Sequence, residues 1–124
     1  MPFSGHTIAQ CQKILENLAK SGDRITYGDL MRALGIGRQS LADCLNPIYQ
    51  TEISAQPPRP DLTLIPHYSG SWFGRYNSRG ARAQSITIDP NNKTQVQAYK
   101  DDLRHVYRHW GGKPKGKLKE WLES

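Results

Sequence analysis

Cysteine is scarce in this chain: two residues in 124, Cys11 and Cys44. So few thiols exclude a disulfide-stapled secreted scaffold, and neither cysteine stands in a spacing that binds zinc. Both lie in stretches with helical spacing and are read as small buried hydrophobes. Long apolar runs are missing too, since no segment approaches the ~20 apolar residues that a membrane-crossing helix requires. Met1 to His6 has neither a basic stretch nor an apolar core, which predicts no cleaved secretory signal and a cytoplasmic protein without a membrane partner. Acidic residues are in the minority. Eleven Asp and Glu face seventeen Lys and Arg, a net charge of +6, the electrostatic condition for attraction to a phosphate polyanion or an acidic protein surface. Hydrophobic residues make up 36%, enough for one modest core, and the length suits a single domain.

Thr7 to Lys20 reads as a helix because Ile8, Cys11, Ile14, Leu15 and Leu18 recur at three- and four-residue steps. Ser21-Gly22-Asp23 stops it. Thr26 then stands as a cap, with Asp29 three residues on at the positive end of a second helix that runs to Leu34. Gly35-Ile36-Gly37 breaks that helix. Helical spacing restarts at Arg38 and carries Leu41, Cys44 and Leu45 inward, so two short helices meet at a glycine turn in a helix-turn-helix outline. Asn46-Pro47 permits a fresh helical turn through Ile48, Tyr49 and Ile53, and Gln56 to Pro60 forces an extended loop. Asp61-Leu62-Thr63-Leu64-Ile65 and Gln84-Ser85-Ile86-Thr87-Ile88 alternate like strands, with Trp72, Phe73 and Tyr76 as a middle strand. They would form a small antiparallel sheet in the position of a wing. Val96, Tyr99, Leu103, Val106 and Trp110 mark a long last helix, ended by Gly111-Gly112.

The expected fold is therefore α+β, a winged-helix-like helix-turn-helix with a small antiparallel sheet and a long C-terminal helix. Residues 1–112 form one domain, and 113–124 form a basic C-terminal tail with Lys113, Lys115, Lys117 and Lys119. That tail reads as a flexible basic arm, a short docked helix, or added sequence outside the fold. Trp110, Leu118, Trp121 and Leu122 exceed what so small a core needs, which leaves monomer and homodimer both open.

At Ile25-Thr26-Tyr27-Gly28-Asp29-Leu30, Ala33-Leu34-Gly35 and Asn46-Pro47-Ile48 the sequence resembles the winged-helix DNA-binding domain of alkylguanine-DNA alkyltransferases and alkyltransferase-like proteins. The likeness covers residues 24–66. It implies a DNA-binding function with Tyr27 near the DNA backbone, and Arg38 and Gln39 nearest to the arginine that those families carry on the recognition helix. The reactive Pro-Cys-His-Arg motif corresponds to Pro66-His67-Tyr68-Ser69, which holds no thiol. Without a thiolate there is no acceptor for an alkyl group, so the resemblance implies a reader rather than an alkyltransferase.

From Trp72 to Arg82 three arginines and three aromatics fall within eleven residues that hold no carboxylate. Arginine forks bind phosphates or base edges, and aromatic faces stack on unpaired bases. Trp72, Arg75, Tyr76, Arg79 and Arg82 thus join Tyr27, Arg38, Gln39 and Ser40 as the candidate nucleic-acid-binding residues. Arginines that are merely solvated, with the rings packed beneath a sheet, would leave the same sequence. DNA is the leading partner and RNA the second. The alternatives are a small regulator that binds an acidic protein surface through the aromatic segment, and a metal-dependent nuclease built on Asp101, His105 and His109. The last has no His-Glu-x-x-His pattern to support it. The sequence thus predicts a protein that is not an enzyme, with no catalytic residue, no metal ligand and no cofactor.

Overall fold

In the computed structural model, residues 5–77 and 85–124 are described. Helix α1 spans Gly5–Ser21 and buries Cys11, Leu15 and Ala19 along one line of four-residue steps; of the expected stripe Cys11 and Leu15 are buried, Ile8, Ile14 and Leu18 are half-buried against the core, and Ala19 joins them. A two-residue strand β1 (Ile25–Thr26) leads into α2 (Tyr27–Leu34). Thr26 caps α2 by accepting the Asp29 backbone N–H at 3.1 Å, and Asp29 pairs with Arg32 one turn along. Gly35 ends α2 in the left-handed region at φ 67°, which a residue with a Cβ adopts only at a cost. The Gly35 and Ile36 N–H groups return to the Arg32 and Met31 carbonyls, closing the turn onto α3.

Helix α3 runs without a break through Arg38–Ser54 with Pro47 inside it, so the fresh start expected at Asn46-Pro47 does not occur. Pro47 deprives the Asp43 carbonyl of its helical N–H partner, yet the burial of Leu41, Cys44, Leu45, Ile48 and Glu52 holds one face inward past it. The strand expected over Asp61 to Ile65 is replaced by a 3-10 turn, Leu62–Leu64. Asp61 caps this turn through the Thr63 N–H at 2.9 Å, and Leu62, Thr63, Leu64 and Ile65 are all buried. A strand must expose alternate residues of a one-sided sheet. This segment cannot, because it lies between α1, α3 and α4.

The strands are short. Strand β2 (Pro66–His67) pairs in parallel with β1, Ile25 opposite Pro66. Strands β3 (Arg75–Asn77) and β4 (Ser85–Thr87) pair antiparallel, Tyr76 opposite Ile86. The expected single antiparallel sheet is thus two separate two-stranded ladders. Trp72 and Phe73, expected in the middle strand, precede β3 in a loop. Helix α4 (Lys93–Trp110) starts at Asn92, whose side chain accepts the Gln95 N–H at 3.1 Å, and stops at Gly111 with φ 83°. It places Tyr99, Leu103 and Val106 in the centre of the core. Residues 116–123 form α5, which buries Leu118 and Leu122. The apolar surplus that raised dimerisation is thereby largely spent within the chain.

Arg24 joins these pieces. Its Nε donates to the Ile65 carbonyl at 3.0 Å and its Nη2 to the Leu64 carbonyl at 2.8 Å and the Tyr99 hydroxyl at 2.7 Å, while Nη1 donates to the Trp72 carbonyl. One guanidinium thus ties the start of β1 to the 3-10 turn, the β2–β3 loop and α4. Next to it, Trp72, Phe73, Tyr99 and Trp121 pack ring on ring at 5.5–6.2 Å between centroids. Aromatic pairs at such distances favour stacked and edge-on contact, and Trp121 brings α5 into that contact. The architecture is α-rich, with five helices and a small strand content among the described residues.

Candidate nucleic-acid interface

The α2–α3 pair and the β2–β3 loop enclose a groove of about 600 Å³, a size suited to ligand recognition. Met31 from α2 and Leu41, Ala42 and Leu45 from α3 give it an apolar floor; Tyr27, Gly28, Tyr68 and Ser69 line its side, and Arg38 and Arg75 complete it. None of these ten lining residues is a carboxylate. Arg38 reaches the groove because the glycine turn sets α3 to begin there. Arg75 reaches it because its backbone N–H is tied to the Tyr27 hydroxyl at the start of α2.

Tyr27 occupies its place for a structural reason. It is buried, and its hydroxyl accepts the Arg75 backbone N–H at 2.7 Å, so the first turn of α2 is fastened to the first residue of β3. Its ring meets Tyr68 edge-on at 5.0 Å. Gly74 permits this approach: a Cβ there would lie 2.7 Å from both the Tyr27 hydroxyl and the Pro66 carbonyl oxygen. Burial pushes the Tyr27 phenol well above its usual range, so the group stays protonated and keeps a proton to donate. Tyr68 lines the groove and is 43% exposed.

His67 follows in the same loop. Its Nδ1 lies 2.6 Å from the Ser71 carbonyl and 2.9 Å from that of Tyr68, which places a proton on Nδ1. Burial, then the nearby Arg24 charge, hold the imidazole below its usual pKa. It is a neutral, packed ring against Trp72, 5.7 Å away.

Of the nine candidate residues, the structure brings Tyr27, Arg38 and Arg75 into one groove. Gln39 is exposed and Ser40 half-buried in the same first turn of α3, outside the groove lining. Trp72 stacks on Trp121 at 5.9 Å, and Tyr76 is buried with its hydroxyl donating to Asp102 at 2.5 Å. Both rings therefore face packing partners. Arg79 and Arg82 lie outside the described residues. Sequence reasoning missed Tyr68, Met31 and Leu41 as groove residues; helical spacing reads Leu41 as core, and nothing local marks Met31 or Tyr68.

The remaining constellations are separate. Asp101 is paired with Arg104 at 2.6 Å and accepts from Gln97, while His105 and His109 are exposed on α4. Among the described residues, no three His, Cys, Asp or Glu side chains converge as metal ligands do. Cys11 and Cys44 are free and buried, and desolvation raises the Cys11 thiol to about 12. No helix among the described residues is long and apolar enough to cross a membrane. In comparisons with known proteins, no family model, curated protein or solved structure matches the chain.

Proposed function

We propose that the protein is a non-catalytic nucleic-acid-binding module of the winged-helix type, with DNA before RNA as its ligand. The observation that carries this reading is the groove: among the described lining residues, two arginines and two tyrosines around an apolar floor and no carboxylate. Guanidinium groups bind phosphates as forks, and an apolar, aromatic wall accepts base or sugar faces, whereas a carboxylate would repel the backbone. The α2–α3 unit with its glycine turn fits a helix-turn-helix, the exposed first turn of α3 fits a recognition helix, and a short antiparallel β3–β4 ladder later in the chain supports reading it as a wing. Tyr27 supports the site from within by fixing β3 to α2. The resemblance around Thr26-Tyr27-Gly28 points the same way.

The test is fluorescence anisotropy of labelled duplex and single-stranded DNA, and of RNA, across a salt series. Binding should weaken steeply with salt, and Arg38→Ala with Arg75→Ala should make log K against log salt shallower by roughly 1.8 on duplex, about 0.9 per lost contact. A stoichiometric protein partner that survives nuclease treatment, with no salt-dependent nucleic-acid affinity, would replace this reading by that of a protein-binding regulator.

A further inference from the structure

A second cationic feature lies apart from the groove. From Arg104 to Lys119 the sequence carries six Lys and Arg and no carboxylate, so this stretch holds a large share of the chain's excess charge. The fold bends it into a cleft of about 330 Å³ between the end of α4 and α5, lined by Arg104, Arg108, Lys113 and Lys119 with Glu123 as the one acidic group. It shares no lining residue with the groove. Arg108, Lys113 and Lys119 are exposed.

The cleft is built rather than incidental. Arg104 donates to Asp101 and, across the helix pair, to the Leu122 carbonyl, which holds α5 against α4. The turn between these helices is clamped to the end of α1. A Cβ on Gly112 would overlap the Ala19 carbonyl oxygen, and one on Gly22 would overlap the Lys113 carbonyl. Tyr107 adds a hydrogen bond from its hydroxyl to the Asp23 carbonyl at 2.7 Å. The Lys113 backbone is therefore fixed, not trailing, and its exposed side chain lines the cleft with that of Arg108 near the carbonyl end of α4, where the helix dipole favours cations. Ordered cations bind a polyanion at a smaller entropic cost than free ones.

The chemistry of the surface selects among polyanions. Interfaces with proteins take their energy from buried aromatic anchors, and here Tyr107 and Leu122 are already buried while Trp121 is turned into the aromatic cluster. The face offers charge without anchors, which suits the evenly spaced charges of a sugar-phosphate backbone.

We infer that the α4–α5 cleft is a second phosphate-binding site that takes the backbone of the same nucleic acid, independently of the groove; this rests on the nucleic-acid reading. The experiment compares the wild-type chain, a groove variant (Arg38→Ala, Arg75→Ala) and a cleft variant (Arg108→Ala, Lys113→Ala, Lys119→Ala) on one duplex across a salt series, with polyglutamate as competitor. Thermal melts verify that each variant folds, and Lys113→Arg with Lys119→Arg serves as the charge-preserving control. The expected result is a salt slope shallower by roughly 2–3 for the cleft variant, about 0.9 per contact, a further decrease when both sets are combined, and wild-type behaviour in the control. An unchanged slope in the cleft variant, with a reduced one in the groove variant, overturns the second site and leaves the groove reading standing. The reverse pattern makes the cleft the principal site and removes the groove. Equal displacement of the duplex by polyglutamate at the same charge concentration overturns the preference for phosphates, and a wild-type chain that binds neither duplex nor single strand refutes both proposals.

Discussion

Replacing Arg24 by methionine removes a guanidinium and keeps a stem of similar length. The carbonyls of Leu64, Ile65 and Trp72 then lose a charged donor together, and so does the Tyr99 hydroxyl. The Tyr99 hydroxyl can rotate toward another partner, so the count is confined to the carbonyls. The loss falls on three carbonyls in the part-buried region between the 3-10 turn and the β2–β3 loop. An unsatisfied buried acceptor costs about 1–3 kcal/mol. Taking the lower figure for each, because water can reach part of this site, gives a loss of about 3 kcal/mol. For a chain of this size that is a fall in Tm of roughly 12 °C, at about 4 °C per kcal/mol. Arg24→Lys retains the charge but cannot supply the planar fork that reaches three carbonyls on different segments, so it should recover at most half of the loss. Thermal and urea denaturation followed by tryptophan fluorescence and near-ultraviolet circular dichroism measure both variants, and three tryptophans give ample signal. A methionine variant that melts within about 3 °C of the wild type would refute this account of Arg24. A lysine variant restored in full would show that charge, not fork geometry, matters.

Three further outcomes follow from the same bonding. Tyr27→Phe leaves the Arg75 N–H without its acceptor and should cost about 1–3 kcal/mol in denaturant unfolding; an unchanged midpoint would mean that β3 is not fastened through this hydroxyl. Gly74→Ala drives a Cβ into the Pro66 carbonyl and the Tyr27 hydroxyl and should destabilise by at least about 2 kcal/mol, a result that a wild-type melt would contradict. Glu52 is fully buried, with Arg59 Nη2 at 3.0 Å, and desolvation raises its carboxyl despite that charge. A raised folded pKa means that the native state binds the extra proton, so this contribution is fully present below the unfolded carboxylate value and is lost as pH rises through the folded one. Glu52→Gln should flatten the stability profile in that window, and an unaltered profile would remove Glu52 as its source.

Periodicity revealed the helices because each buries one stripe: Cys11 and Leu15 in α1, and Tyr99, Leu103 and Val106 in α4, stand at helical steps that no strand would produce. The cap of α2 was equally legible, since Thr26 and Asp29 act within one turn. Over Leu62 to Ile65 the same kind of reading failed. Alternation there mimics a strand, but a segment enclosed on every side buries its polar member too, and Thr63 is buried with its neighbours. Pro47 misled because propensity is local, whereas the face of α3 is held by partners on other elements. Arg24 had no signature at all: its acceptors lie 40 to 75 residues away. In the candidate site, Tyr27, Arg38 and Arg75 were readable by residue type, and their convergence was not, because it depends on a glycine turn, the Tyr27–Arg75 bond and the path of the β2–β3 loop. Trp72 shows the limit most clearly, since an aromatic beside arginine reads as a stacking platform until Trp121, almost fifty residues on, covers it.

The two buried thiols have a practical consequence. Cys11 lies in α1 and Cys44 in the middle of α3, both fully enclosed; desolvation holds the Cys11 thiol near 12 and raises that of Cys44, which lowers the thiolate available for reaction at both. A cysteine introduced on the surface, at Gln39 or Arg108 for instance, can therefore be labelled selectively without first removing the native pair. The native pair then serves as a clock. Its slow modification by an excess of a disulfide reagent can proceed only when the α1–α3 contact opens, so its rate reads the frequency of that opening and would register the loosening brought by any of the substitutions above.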